Sequence, residues 1–236
     1  MKFLVSDYDG TIFDVDNLKD TRKNIDAIRR FKDNGNLFAI ATARTFLSIK
    51  SQTDKFNIPY DYLICSDGGC VFDKHDNLIY SNSIDINLLM KIHKYLVSLP
   101  FVKKFEYLDS FGNKSTNFND VQQIYVEVYI KNTLEILKIK KMLAPLISIG
   151  ILSICYFYKH TLKTDGIRVV SEIEKLDKRD IYTVGNGNND ICMLNEYNGY
   201  RVPFSYPKVV MQGFPKNSVC NLVKKIESGK IWKKLE

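Results

Sequence analysis

Short apolar blocks alternate with longer amphipathic stretches along the first third of the chain. Phe3–Val5 is an apolar run closed by Asp7, long enough for a buried strand and too short for a helix. From Lys19 to Asn34 the apolar positions Ile25, Ile28 and Phe31 recur at helical spacing, and Gly35 is a helix stop. A second strand is expected at Leu37–Ala41, a helix from Thr45 to Phe56, and a third strand at Tyr62–Cys65. This order predicts a parallel sheet with right-handed crossovers. Cys70–Phe72 and Leu78–Tyr80, on either side of Lys74-His75-Asp76-Asn77, predict a hairpin.

The pattern changes near Ser81. A helix at Asp85–Val97, strands at Lys103–Leu108 and Gln122–Ile130, a helix at Asn132–Leu143 and a strand at Ser148–Tyr158 describe a small α+β module. The first pattern then returns, with helices at Asp165–Leu176, Asn189–Asn195 and Asn217–Glu227 and strands at Ile181–Val184 and Tyr200–Val202. The expected architecture is α/β: a discontinuous parallel-sheet core of residues 1–81 and 160–236, with an α+β module inserted at 82–159.

Composition adds limits. The chain has 236 residues, 45% hydrophobic and 26% charged, an ordinary balance for a globular protein. Asp7 interrupts the first apolar run, so the chain does not open on a secretory signal. Met142 to Tyr158 carries no charge, but it is shorter than the ~20 residues that span a bilayer. It also holds Pro145 and Gly150, which suit a helix end followed by a buried strand, so no membrane association is expected. Cysteines 65, 70, 155, 192 and 220 are odd in number and form no Cys-x-x-Cys pair. That usage suits reduced thiols and a cytoplasmic location, with Cys155 and Cys192 as small core residues. The net charge of +7 owes much to Lys216, Lys224, Lys225, Lys230, Lys233 and Lys234. These lie on an amphipathic pattern without interleaved exposed aromatics, which reads as a solvated helix face and not as a nucleic-acid surface. A basic chain also attracts anionic small molecules.

The polar residues at the strand ends carry the chemistry. Asp7 and Asp9 follow the first strand, where open α/β sheets bind ligands. Two carboxylates so close repel unless a cation or a shared proton compensates, which suggests a divalent metal and a charged substrate. Thr42-Ala43-Arg44 follows the second strand, Gly185-Asn186-Gly187-Asn188-Asn189-Asp190 a later one, and Lys163 precedes the helix leading to it. Carboxylates, a hydroxyl, an ammonium and amides along one sheet edge suit a dianionic phosphate with Mg²⁺. A calcium loop is excluded, because Thr11, Ile12 and Leu18 occupy its Asp, Gly and Glu positions. A dinucleotide fingerprint is excluded too, because Asp190 stands where its third glycine is needed. His75, His93 and His160 lie at unrelated places and suggest no metal cluster.

In chain order these segments resemble the four motifs of the haloacid dehalogenase superfamily of phosphohydrolases. Asp7-Tyr8-Asp9-Gly10-Thr11 is similar to the first motif, Ala41-Thr42-Ala43-Arg44 to the second, the Lys163 region to the third and Gly185–Asp190 to the fourth. The inserted module resembles the C2-type cap of the Cof-like branch, in a small form. The resemblance implies a Rossmann-like core and a Mg²⁺-dependent phosphatase of small phosphorylated metabolites, sugar phosphates among them. It makes Asp7 the nucleophile that forms an aspartyl phosphate, and Asp9 the general acid and base. Thr42, Arg44, Lys163 and Asn189 would contact the substrate; Asp7, the Asp9 carbonyl, Asn186 and Asp190 would hold or support the metal. At position 186 the family usually carries aspartate; this chain carries Asn186, one charge fewer. A phosphomutase or phosphotransferase using the same intermediate, and a non-catalytic phosphate-binding protein, remain alternatives. The chain is expected to act as a monomer or homodimer.

Overall fold

In a computed structural model of the protein, residues 1–128, 155–158, 161–202, 212–213 and 218–229 are described. The core is an eight-stranded sheet built from β1 (Phe3–Ser6), β2 (Leu37–Ala41), β3 (Tyr62–Cys65), β4 (Cys70–Asp73), β5 (Leu78–Ser81), β9 (Ile181–Gly185), β10 (Asn198–Arg201) and β11 (Gln212–Gly213). Its order is β11-β10-β9-β1-β2-β3-β4-β5. Neighbours from β11 to β3 run parallel, and the β4–β5 hairpin joins antiparallel on the far edge. The hairpin therefore extends the main sheet.

Alternation along the strands sends side chains to two faces. Leu4, Phe38, Ile40 and Leu63 pack on one side with Ile25, Ile28 and Phe31 of α1 (Leu18–Asp33), Phe46 and Ile49 of α2 (Phe46–Phe56), and Leu222, Val223 and Ile226 of a C-terminal helix, Ser218–Glu227. Phe3, Val5, Ala39, Ala41 and Ile64 pack on the other with Ile167 and Val170 of Lys163–Ile173 and Met193 and Leu194 of Ile191–Glu196. With α3 (Ile86–Ser98) in the inserted region, these three helices are α6, α4 and α5. Sheet faces covered by helices on both sides explain why β1, β2, β3 and β9 are buried nearly throughout.

Between β5 and α4 lies a second, antiparallel sheet of β6 (Val102–Leu108), β7 (Gln123–Val128) and β8 (Cys155–Tyr158), ordered β6-β7-β8. It has its own apolar cluster, in which Leu89, Ile92 and Leu96 of α3 meet Val121, Ile124 and Val126. The helix expected at Asn132–Leu143, the first part of the strand expected at Ser148–Tyr158, the Cys155 side chain, and Lys216, Lys230, Lys233 and Lys234 lie outside the described residues. In α6, Leu222, Val223 and Ile226 are buried, while Lys224 is exposed and Lys225 half-buried. Among the described residues no helix is long and apolar enough to cross a membrane.

One buried side chain ties the ends of the core together. Asn24, on α1, donates to the carbonyls of Thr11 and Ile12 at 3.3 and 3.2 Å, and accepts from the Cys220 backbone N–H of α6 at 3.1 Å. Asn24→Leu would leave two carbonyls and one N–H without their partner. The expected cost is about 2–3 kcal/mol, read as a lower midpoint in urea unfolding.

Candidate active site

The ends of β1, β2, β3 and β9 bring the singled-out residues to one edge. Asp7 follows β1 directly, and its backbone N–H donates to the Val184 carbonyl of β9 at 2.9 Å. The chain then turns tightly, with the Tyr8 carbonyl accepting from the backbone N–H groups of Thr11, Ile12 and Phe13. Gly10 makes this turn possible: its φ is +75°, and a Cβ there would lie 2.3 Å from Nδ2 of Asn186. The absent side chain thus lets the Asn186 amide sit against the Asp9–Gly10 loop.

Asp7 is buried, and both its oxygens have partners. Lys163 Nζ donates to Oδ1 at 2.7 Å and the Thr11 hydroxyl to Oδ2 at 3.3 Å. Lys163 is fully buried and also donates to Asp190 Oδ1 at 2.6 Å. It stands at the first position of α4, where the helix dipole disfavours a cation. Its place there serves the carboxylates, not the helix. Burial acts to lower the Lys163 pKa, but Asp190, Asp7 and Asp67 overcome it and hold the ammonium charged.

One ammonium therefore lies between two buried carboxylates. Burial, then repulsion from Asp190, push the Asp7 pKa up to about 7, against the opposing pull of Lys163. With both carboxylates ionised, the trio carries one negative charge in excess, which a cation would relieve. The other oxygen of Asp190 accepts from the backbone N–H groups of Asn186 and Gly187 at 2.8 and 2.7 Å. Asp190 thus shapes the loop that carries Asn186 and is itself wholly buried.

The second motif lies beside this pair. The Thr42 hydroxyl accepts from the Arg44 backbone N–H at 3.2 Å, and the Thr42 backbone is fixed by bonds to Ile64 and Asp67. Arg44 grips Asp9 through two parallel bonds, Nε to Oδ2 and Nη2 to Oδ1, both 2.7 Å, a fork-to-fork pair. Its third nitrogen donates to Ser48 Oγ at 3.2 Å, and the guanidinium lies 5.4 Å from the centre of the Tyr8 ring. The hydrogen bonds to Asp9 hold the Arg44 pKa above its usual value.

Asp67 was not among the residues the sequence singled out. It sits in a left-handed run, with φ of 52°, 53° and 97° at Ser66, Asp67 and Gly68. A Cβ at Gly68 would lie 2.0 Å from the Leu162 carbonyl, so the glycine lets the chain entering α4 press against this turn. Asp67 Oδ1 accepts from Asn189 Nδ2 at 2.9 Å. The Asn189 amide expected on phosphate is thus held by a carboxylate in this state. Two adjacent non-glycine residues at positive φ are strain of the kind found at functional sites, and the Ser-Asp-Gly-Gly sequence was readable only as a turn.

Two further expectations need correction. Cys192 is half-buried, with Sγ 3.5 Å from the Asn189 carbonyl, because α5 turns that face toward the fourth-motif loop and not into the core. The helix expected from Asp165 begins at Lys163, because hydropathy gives no sign that a lysine and a threonine are buried.

The donors fit a hard divalent ion. The Asp7 carboxylate, the Asp9 backbone carbonyl and the Asn186 amide are all oxygens, and the charge excess around Lys163 favours a cation. Among the described residues no group of three or more His, Cys, Asp or Glu side chains forms a metal site. The implied set uses an amide and a carbonyl in place of further carboxylates.

The carboxyl edge of the sheet thus gathers carboxylates, a lysine and a threonine around one point, as a hydrolase site requires. The chain belongs to the haloacid dehalogenase-like hydrolases, whose family model matches residues 4–141. A protein of Haemophilus influenzae, provisionally named a phosphatase, is 23% identical over 221 residues, covering 81% of each chain. A Buchnera aphidicola protein of the same provisional name is 25% identical over 241 residues, covering 82% of this chain and 81% of its own. Among solved structures, a phosphatase of this superfamily from Bacteroides thetaiotaomicron superposes with a TM-score of 0.77 at 18% identity, covering 98% of this chain and 96% of its own. A sugar phosphatase of subclass IIB superposes with a TM-score of 0.72 at 18% identity, covering 98% of this chain and all of its own. These last two likenesses concern the fold.

Proposed function

We propose that the protein is a Mg²⁺-dependent phosphatase of small phosphorylated metabolites, sugar phosphates first among them, working through an aspartyl phosphate on Asp7. Asp7 itself carries this reading: a buried carboxylate at the end of β1, held by Lys163 and Thr11, in a family of hydrolases. The domain division belongs to the same reading: residues 1–81 and 160–236 form the catalytic core, and 82–159 the cap that closes over substrate.

Asp7 attacks phosphorus, and the bond from phosphorus to the ester oxygen breaks. Asp9 gives its proton to that leaving oxygen, and the alcohol departs. Asp9 then takes a proton from a water molecule, whose oxygen attacks the phosphoryl group, freeing phosphate and restoring the Asp7 carboxylate. Both oxygens of Asp9 are engaged by Arg44 in this state, so the pair must open for Asp9 to carry a proton. Opening frees the guanidinium to meet the substrate. Thr42 and Lys163 hold phosphoryl oxygens, Asn189 adds a contact once it leaves Asp67, and Asp190 keeps Lys163 and the Asn186 loop in place. Asp7, the Asp9 carbonyl and Asn186, supported by Asp190, would hold Mg²⁺, which when bound neutralises charge between carboxylate and phosphate.

The test is phosphate release from a panel of phosphorylated metabolites with Mg²⁺, using Asp7→Asn as control. Release confined to the wild type supports hydrolysis; donor ester consumed only when a sugar acceptor is present, with the phosphoryl group recovered on that sugar and not as free phosphate, points to transfer. No release, with ligand binding unaltered in Asp7→Asn, leaves a binding protein. The missing charge at position 186 has its own consequence. Asn186→Asp is expected to reach half-maximal activity at an about ten-fold lower Mg²⁺ concentration, and equal titration curves would refute a ligand role for this residue.

A further inference from the structure

Gln123 opens β7 in the inserted module and is buried. Its Nε2 donates to the Ala43 carbonyl at 2.9 Å. Only the amino end of an amide can serve a carbonyl, which fixes the side chain's orientation. Its Oε1 is left buried with no hydrogen-bond partner among the described residues. A buried acceptor without a donor is costly, and in native structures it calls for an explanation. The neighbouring Gln122 shows the contrast, since its Nε2 donates to Ser81 Oγ at 2.7 Å and Ser83 Oγ at 3.1 Å.

The other buried side-chain atoms without a partner among the described residues, Ser66 Oγ, Thr164 Oγ1 and Arg201 Nε, belong to the core. Gln123 alone of these four comes from the module, and it reaches the loop between Thr42 and Arg44. Its unpaired oxygen lies at the seam between the module and the second motif. An amide oxygen takes a donor, and the alcohol portion of a sugar phosphate offers hydroxyl donors.

We infer that Gln123 is a specificity residue: its Oε1 accepts a hydrogen bond from a hydroxyl of the substrate's alcohol portion, selecting polyhydroxylated phosphate monoesters over alkyl ones. The inference rests on the phosphatase reading. The test uses the full chain with Mg²⁺ and compares kcat/KM for two six-carbon groups of monoesters, hexose and hexitol 6-phosphates against n-hexyl phosphate. In Gln123→Leu the ratio of the best hydroxylated ester to n-hexyl phosphate is expected to fall about ten-fold. Gln123→Glu keeps an acceptor oxygen and is expected to hold the ratio within about three-fold. Loss of the Ala43 bond affects both esters and cancels in the ratio.

A ratio unchanged in Gln123→Leu, with Asp7-dependent phosphate release from the esters, overturns the inference and leaves the phosphatase reading standing. Equal loss of the ratio in both variants overturns it as well, because Gln123→Glu keeps the acceptor oxygen to which the selectivity is assigned. Absence of Asp7-dependent release from every ester overturns both readings.

Discussion

Asp7→Asn is expected to lower phosphate release by about 10³-fold or more, and at the same time to raise the thermal midpoint of the Mg²⁺-free protein at pH 8. The first effect follows from loss of the proposed nucleophile. The second follows from burial: desolvation and Asp190 push the Asp7 pKa up from 3.8 to about 7. A carboxyl raised in this way contributes most to stability below its ordinary value, and that contribution is lost as pH rises through 7. The chelated wild type should therefore lose stability between about pH 4 and 7, while Asp7→Asn, which has nothing to titrate there, should not. The two midpoints should meet near pH 4 and differ by roughly 10 °C at pH 8, since a rise from 3.8 to about 7 is worth about 4 kcal/mol and each kcal/mol shifts a chain of this size by about 2–4 °C. The neutral amide still accepts the bond from Lys163, so no ammonium is stranded. Adding Mg²⁺ should narrow the gap by relieving the charge in the wild type alone. An unfolding series in chelator in which Asp7→Asn is no more stable at pH 8 would contradict this account.

Lys163→Met should have the opposite effect on stability and the same effect on activity. The lysine is fully buried and touches Asp7 and Asp190 at 2.7 and 2.6 Å. Removing it leaves two buried carboxylates facing each other, a change worth about 3–5 kcal/mol, or roughly 6–20 °C in the midpoint. Adding Asp190→Asn should recover part of the stability by removing one of the stranded charges. It should not recover phosphate release, because the phosphoryl contact and the balance of charge on Asp7 are both gone. Thermal unfolding of the two variants separates these effects from a general loss of packing. A single variant as stable as wild type would show that the ammonium does not hold the two acids together.

How much of this was legible beforehand depended on which signal carried it. The strands β1, β2, β3 and β9 could be read because burial on both faces leaves continuous apolar runs. Asp7, Thr42 and Asp190 could be placed at one edge because each follows such a run in a parallel sheet. Lys163 was singled out from its resemblance to a motif, yet the helix it begins was read as starting two residues later. A fully buried lysine leaves no hydropathic trace when carboxylates from distant segments solvate it. The Arg44–Asp9 pair was hidden for a related reason: it joins two separate loops, and pairing between loops has no period. Asp67 and Gln123 were missed because each is a polar residue at the end of an element. There, position and partner, not residue type, decide the role.

The strand β1 lies between β2 and β9, and its partnership with β9 joins Phe3–Ser6 to Ile181–Val184. That seam spans most of the polypeptide. During synthesis, at about 5–20 residues per second, β1 waits roughly 10–35 s for the strand that closes its second edge. Until then Asp7 is an ordinary solvated acid without Lys163 or Asp190, and β1 presents an open row of backbone donors and acceptors. The nascent chain thus carries Asp7 early and surrounds it with Lys163 and Asp190 only after most of the polypeptide has been made. That late closure, a contact of high sequence separation, is where slow folding and edge-to-edge aggregation of this protein should concentrate.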